Sequence, residues 1–190
     1  MDLLKEKIIN DGIVIPPDIL KVDSFLNHQI DVNLFEEIGK EFARRFSHQK
    51  IDKILTVEAS GIALACFVSL ALNKQPVVYA KKDASTIISE NSFYCKVHSF
   101  TKKVTTNIRV DKIYLNESEN ILIIDDFLAN GQAALGLSNL VEQAKANLVG
   151  IGIVIEKGFQ PGRKLLESKG YHVESLAIIE RFKNNKIIIK

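Results

Sequence analysis

Asp125 and Asp126 stand side by side in the run Ile121-Leu-Ile-Ile-Asp-Asp-Phe-Leu-Ala-Asn-Gly-Gln-Ala-Ala134, which is apolar before them and small-residue after them. Adjacent carboxylates at the end of a strand suit hydroxyl groups or a hydrated divalent cation. The Ala129-Asn-Gly131 turn that follows lets backbone N–H groups converge. A helix beginning near Gln132 adds its unpaired donors and the positive end of its dipole, a combination that fits a phosphate. Carboxylates repel phosphate, so the acidic pair must face something beside it, and a phosphate flanked by vicinal hydroxyls is a ribose phosphate. The plainer reading of the pair is a helix cap with solvated charge. A dinucleotide or P-loop site is the structural competitor, but no G-x-G-x-x-G follows a strand and no G-x-x-x-x-G-K-[ST] occurs.

Two further groups belong with this chemistry. Glu58-Ala-Ser-Gly61 joins the end of a short apolar run to an apolar helix, and its small residues allow close approach of backbone donors to an anion; by itself it reads more readily as an ordinary strand-to-helix turn. Lys81 and Lys82, with Lys102 and Lys103 in Ser99-Phe-Thr-Lys-Lys103, place cations where they could close over a polyanion or simply be solvated.

These residues need a scaffold that brings strand ends to one edge. The run 121–125 reads as a central strand buried on both faces, followed by a helix at 132–146 and a strand at 149–156. Residues 53–57, 62–72 and 76–80 repeat the order strand, helix, strand, and a third unit follows at 161–169 and 172–179. Upstream, 2–10 predicts a helix with Leu3, Leu4, Ile8 and Ile9 inward and Gly12 as its stop. Pro16-Pro17 breaks the chain, and 19–30 reads as irregular. Asn33 is placed to cap a helix to about Ser47, with Leu34, Ile38, Phe42 and Phe46 on one face. Residues 93–100 and 104–110, rich in Val, Thr, Phe and Tyr, predict an antiparallel ribbon. The whole is an α/β fold: a central, mostly parallel sheet flanked by helices, with an N-terminal hood over about 1–32 and a flexible antiparallel flap over about 81–118.

At 190 residues and 46% hydrophobic composition, one domain spanning 1–190 is expected. Lys plus Arg number 25 against 23 Asp plus Glu, and a net charge of +2 gives no global field for nucleic acid or membrane. No stretch approaches the roughly 20 apolar residues of a membrane span, and the charged N-terminus lacks a secretion signal, so a cytoplasmic location is expected. Cys66 and Cys95 read as reduced, packed thiols, and the four histidines have no zinc-ligand spacing. His28 reads as packed or solvent-facing rather than as an acid or base.

The fourteen-residue string resembles the signature of the type I phosphoribosyltransferases. The resemblance implies that Asp125 and Asp126 hold the ribose hydroxyls of phosphoribosyl pyrophosphate (PRPP) and serve catalysis, while Ala129, Asn130, Gly131, Gln132 and Ala133 hold its 5-phosphate. It likewise makes Ala59, Ser60 and Gly61 the pyrophosphate loop, with a strained or cis peptide there and Glu58 on the water or magnesium side. Mg²⁺ accompanies PRPP, with no protein ligand to the metal assigned. With Leu20-Lys-Val-Asp-Ser-Phe-Leu-Asn-His-Gln-Ile-Asp31, which pattern alone reads as a tether of the N-terminal helix to the core, and Ile155-Glu-Lys-Gly-Phe-Gln-Pro-Gly-Arg163, the chain is similar nearly end to end to the bacterial xanthine phosphoribosyltransferases. That implies base contacts from Leu20, Asn27 and Lys157, xanthine as the purine and a homodimer as the assembly. Xanthine carries two oxo groups that a lysine and an amide can meet, whereas adenine would set an amine against the lysine. Guanine and hypoxanthine share the C6 oxygen and remain alternatives, as does a PRPP-binding regulator. The chain departs from its relatives at Leu64, where proline is common, and at Ser99-Phe100, where a Ser-Tyr pair is common.

Overall fold

In the computed structural model, residues 1–83, 90–99, 104–184 and 186–190 are described. Asn120–Leu128 forms the strand that the Ile121–Ile124 run predicts, and all four of those side chains are fully buried. In chain order the strands are β1 (Ile13–Ile15), β2 (Ile19–Lys21), β3 (Lys53–Val57), β4 (Val77–Asp83), β5 (Ser92–Ser99), β6 (Val104–Asp111), β7 (Asn120–Leu128), β8 (Asn147–Lys157), β9 (Val173–Lys183) and β10 (Lys186–Ile189). The helices are α1 (Asp2–Asp11), α2 (Val32–Arg45), α3 (Ser60–Ala71), α4 (Gln132–Gln143) and α5 (Gly162–Glu167).

Among the described residues one sheet runs β10-β9-β8-β7-β3-β4-β6-β5, and its five inner strands from β9 to β4 are parallel. Parallel strands need cover on both faces, which explains their near-continuous apolar sequence. One core layer packs α1, α2, α3 and the hood residues Leu20, Val22, Phe25 and Leu26 on the sheet. The other packs Leu137, Leu140 and Val141 of α4 and Leu166 of α5 on the opposite face. The ribbon β5–β6 extends the main sheet by pairing antiparallel to β4, so the predicted flap is, over its described part, a continuation of the sheet.

Several local expectations are corrected. The cap of α2 is Asp31, whose carboxylate accepts the Leu34 N–H at 3.1 Å, two residues ahead of Asn33. The segment expected to be irregular holds β2 and a π-helical turn, Asp23–Asn27. Only Leu4 and Ile8 of α1 are buried; Leu3 and Ile9 face out, because a helix on a sheet buries a single stripe. Both cysteines are free, but Cys66 is exposed on α3 rather than packed. His28 is exposed at the end of the π turn. No helix among the described residues is long and apolar enough to cross a membrane.

Candidate active site

The carboxyl ends of β3 and β7 meet where the sequence predicts. Asp126 is half-buried, but Asp125 is only 4% exposed. The cause is the start of α3. Gly61 lies against the Thr56 hydroxyl, and a Cβ on it would collide with that oxygen and sit 3.7 Å from Asp125 Oδ1. Asp125 Oδ1 accepts the Asp126 N–H at 3.0 Å, and Asp126 Oδ1 accepts the Phe127 N–H at 2.9 Å. Burial, then the charge of Asp126, hold the Asp125 carboxyl well above the ordinary carboxylate range, with Lys82 opposing them.

Beyond the pair, Ala129–Ala133 wraps the start of α4. Gly131 is the helix N-cap in the left-handed region, at φ 79°. An ordinary residue there would pay the left-handed penalty. Its missing side chain is also what lets the next loop approach, since a Cβ would stand 3.0 Å from Gly162 Cα, and the Gly162 N–H donates to Ala129 O at 3.0 Å. The loop after β8 thus braces the loop after β7. That brace is fixed from below: Arg163 donates to both oxygens of the buried Glu156 at 2.6–3.0 Å, and Ser175 Oγ donates to Glu156 Oε2 at 2.6 Å.

A cavity of about 290 Å³ opens over these parts. Asp125, Asp126 and all of Ala129, Asn130, Gly131, Gln132 and Ala133 line it, so the structure brings the predicted ribose and phosphate residues together. Its far wall is the ribbon, through Val97, His98, Thr106 and Ile108, residues that the sequence reading did not single out. One signal pointed there: Gly136 sits inside α4, where glycine costs about 1 kcal/mol relative to alanine. A Cβ at Gly136 would lie 2.5 Å from Val97 Cγ2, so the glycine is the seat of the ribbon.

The peptide between Glu58 and Ala59 is cis, as expected for this loop, and Ser60 begins α3. Ala59, Ser60 and Gly61 do not line the cavity itself; Gly61 lies close to Asp125, and Ala59 is exposed. Glu58, expected on the water or magnesium side, has a partner within the chain. Its carboxylate accepts the Lys82 N–H at 2.6 Å, tying the loop to β4. The two lysines part: Lys82 lines the cavity beside Asp125, while Lys81 lies in a separate groove with Tyr79 and Tyr114. Lys102 and Lys103 lie outside the described residues.

The three residues expected at the base do not line the cavity. Lys157, half-buried at the end of β8, donates from Nζ to the Asp18 carbonyl at 2.7 Å, which joins it to the hood hairpin β1–β2 that also carries Leu20. Leu20 is buried in the core, and Asn27 is exposed at the end of the π turn. Burial lowers the pKa of Lys157, against the raising charge of Asp18.

No family model matches the chain. Among solved structures it is similar to adenine phosphoribosyltransferases. The enzyme from Trypanosoma brucei, in complex with AMP, pyrophosphate and ribose-5-phosphate, superposes with a TM-score of 0.78 at 18% identity, covering 96% of this chain and 83% of that one. That from Thermoanaerobacter pseudethanolicus gives 0.74 at 23%, covering 92% and 98%. The fold is that of the type I phosphoribosyltransferases. Curated relatives narrow the class: the xanthine phosphoribosyltransferase of Clostridium novyi is 56% identical over 190 residues, the whole of both chains, and that of Ruminiclostridium cellulolyticum 57% over 187, 98% of each. This chain belongs to the xanthine phosphoribosyltransferase family.

Proposed function

We propose that the chain transfers the phosphoribosyl group of PRPP to xanthine, forming xanthosine 5'-monophosphate and pyrophosphate, a step of purine salvage. The observation that carries this reading is the single cavity onto which an acidic pair and a glycine-bent helix N-terminus both open, in a chain of this family. The Ala129–Ala133 backbone holds the 5-phosphate, while Asp125 and Asp126 take the ribose hydroxyls. As pyrophosphate leaves, positive charge develops around ribose C1, and the two carboxylates stabilise it in a site that Thr56, Gly61 and the ribbon shield from water. Lys82 stands on the same cavity and offsets the negative charge of the leaving group. The acidic pair is a hard oxygen donor set, which fits Mg²⁺ carried with PRPP. Among the described residues no group of three metal-ligating side chains occurs. When bound, the cation supplies neutralisation of the pyrophosphate. Both substrates are soluble metabolites, and the cytoplasm is the proposed location. Incubating the protein with PRPP, Mg²⁺ and xanthine, guanine, hypoxanthine or adenine in turn tests the reading; nucleotide from guanine or hypoxanthine faster than from xanthine would move the substrate assignment to that base.

Purine choice is assigned to Lys157 and Asn27. Loss of a charged donor facing a desolvated oxo group costs about 1.5–3 kcal/mol, and loss of a neutral amide contact about 0.5–1.5. Lys157→Ala is expected to weaken every 6-oxopurine, whereas Asn27→Ala weakens xanthine more than hypoxanthine, which has no C2 oxygen. Steady-state kinetics with both bases check this, and equal losses in the Asn27 variant would leave that residue no part in reading C2.

A homodimer is proposed through the groove beside β4 and β6. About 300 Å³ in volume, it is lined by Val77, Val78, Tyr79, Lys81, Arg109 and Tyr114, and Tyr79 and Tyr114 are both exposed. Aromatic rings and arginine are enriched at protein interfaces. Tyr114→Glu is expected to shift sedimentation from two-chain to one-chain mass; a parent that sediments as a single chain refutes the assignment.

A further inference from the structure

Gln160 lies three residues after Lys157, and its backbone N–H closes the turn on Lys157 O at 2.9 Å. Both side chains converge on one residue of the hood. Lys157 Nζ donates to the Asp18 backbone carbonyl at 2.7 Å, and Gln160 Nε2 donates to the Asp18 carboxylate at 2.9 Å. The division matters chemically. A direct Lys157–carboxylate pair would quench the ammonium, whereas a carbonyl fixes one of its three N–H bonds and leaves its charge and two donors for a ligand. The carboxylate is instead spent on the amide, and because a carboxylate only accepts, it decides which end of that amide faces it. The Gln160 oxygen must then point away from Asp18. That oxygen is buried, and among the described residues nothing donates to it. Buried acceptors ordinarily have a partner, and one left unmatched calls for an explanation.

We propose that Gln160 is a specificity-determining residue whose Oε1 accepts the ring N1–H of a 6-oxopurine while Lys157 donates to the adjacent C6 oxygen, with Asp18 as the positioning residue that fixes the amide. This rests on the reading that Lys157 meets the purine. A lysine donor and an amide acceptor on one turn, both held by Asp18, match the C6=O and N1–H edge shared by xanthine, hypoxanthine and guanine. Adenine presents the reverse, an amine at C6 and a bare N1, so both contacts would fail together. Discrimination of this kind is strong because the mismatched base leaves the site's polar groups unpaired.

Two variants and a reference test it, by steady-state kinetics with xanthine, hypoxanthine and adenine. Gln160→Leu is expected to raise KM for xanthine and hypoxanthine about 3- to 10-fold, the effect of one lost hydrogen bond, with KM for PRPP unchanged. Asp18→Ala frees the amide to turn its NH₂ toward N1, so the ratio of 6-oxopurine to adenine activity falls, and Asp18→Asn, which keeps an acceptor for Nε2, restores part of it. A purely structural clasp would lower kcat/KM for all three bases alike and leave the ratio unmoved. Unchanged KM for xanthine in Gln160→Leu, or equal losses on every base and on PRPP, overturns the inference. Lys157→Ala run in parallel separates the two levels: if it weakens xanthine while Gln160→Leu does not, only the role of Gln160 falls, and if neither weakens xanthine the purine assignment falls with it.

Discussion

Asp125→Asn and Asp126→Asn are each expected to lose about 100- to 1,000-fold in turnover, the scale on which a single preorganised electrostatic group acts on a transition state, without loss of stability. The exchange keeps shape and keeps the oxygens that accept the Asp126 and Phe127 N–H groups at 3.0 and 2.9 Å. At position 125 stability should rise. The folded-state pKa of Asp125 is raised by burial and by Asp126, so the native protein holds this proton more tightly than the unfolded chain does. As pH climbs above the unfolded value, ionisation therefore favours unfolding, and the full penalty is present once pH passes the folded value. Asparagine removes the penalty. The melting temperature of Asp125→Asn should exceed the parent's at neutral pH, and the gap should close as pH falls below the ordinary carboxylate range. Activity and thermal melts over a pH series check both halves. Full turnover in both variants would dismiss the ribose-site reading, and a large drop in melting temperature at pH 7 would show that Asp125 is a structural partner instead.

Much of this site was legible because its signals are local. The Ile121–Ile124 run, the acidic pair and the Ala129–Gly131 turn occupy adjacent positions, and β7, its following loop and α4 succeed one another along the chain in the same order. The i+4 spacing of Leu34, Ile38, Phe42 and Phe46 marked the buried face of α2, and all four are buried. The cap was misread because Asp31 and Asn33 are both capping types, and only the position of the Leu34 N–H decides between them. The burial of Asp125 was not legible, because Thr56 and Gly61, which lie against it, are more than sixty positions away. The hood was least readable. Strands of three residues, such as Ile13–Ile15 and Ile19–Lys21, are too short for alternation to register, and the hairpin tip is held by Lys157 and Gln160, which lie 139 and 142 positions along the chain. Contacts of that range leave no trace in spacing.

Gly131→Val should abolish use of PRPP at ordinary concentrations. Three costs meet at this position: a β-branched residue at φ 79°, a Cβ 3.0 Å from Gly162 Cα and 3.2 Å from Gly162 O, and intrusion into the loop that must approach a phosphate closely. The neighbour is backbone and cannot swing aside, so either the phosphate loop or the Gly162 loop moves. Displacing an oriented binding loop by a fraction of an ångström to an ångström costs about 100-fold. We expect KM for PRPP to rise by at least about that factor. The backbone penalty alone is controlled by Gly170, which has nearly the same φ, 82°, with nothing within 4 Å of an added Cβ. Gly170→Val should therefore destabilise the fold by about 1–2 kcal/mol, the left-handed cost, while leaving KM for PRPP unchanged. If Gly131→Val and Gly170→Val are alike in both melting temperature and PRPP dependence, the loop Ala129–Ala133 does not hold the phosphate, and the acidic pair beside it loses its ribose assignment as well.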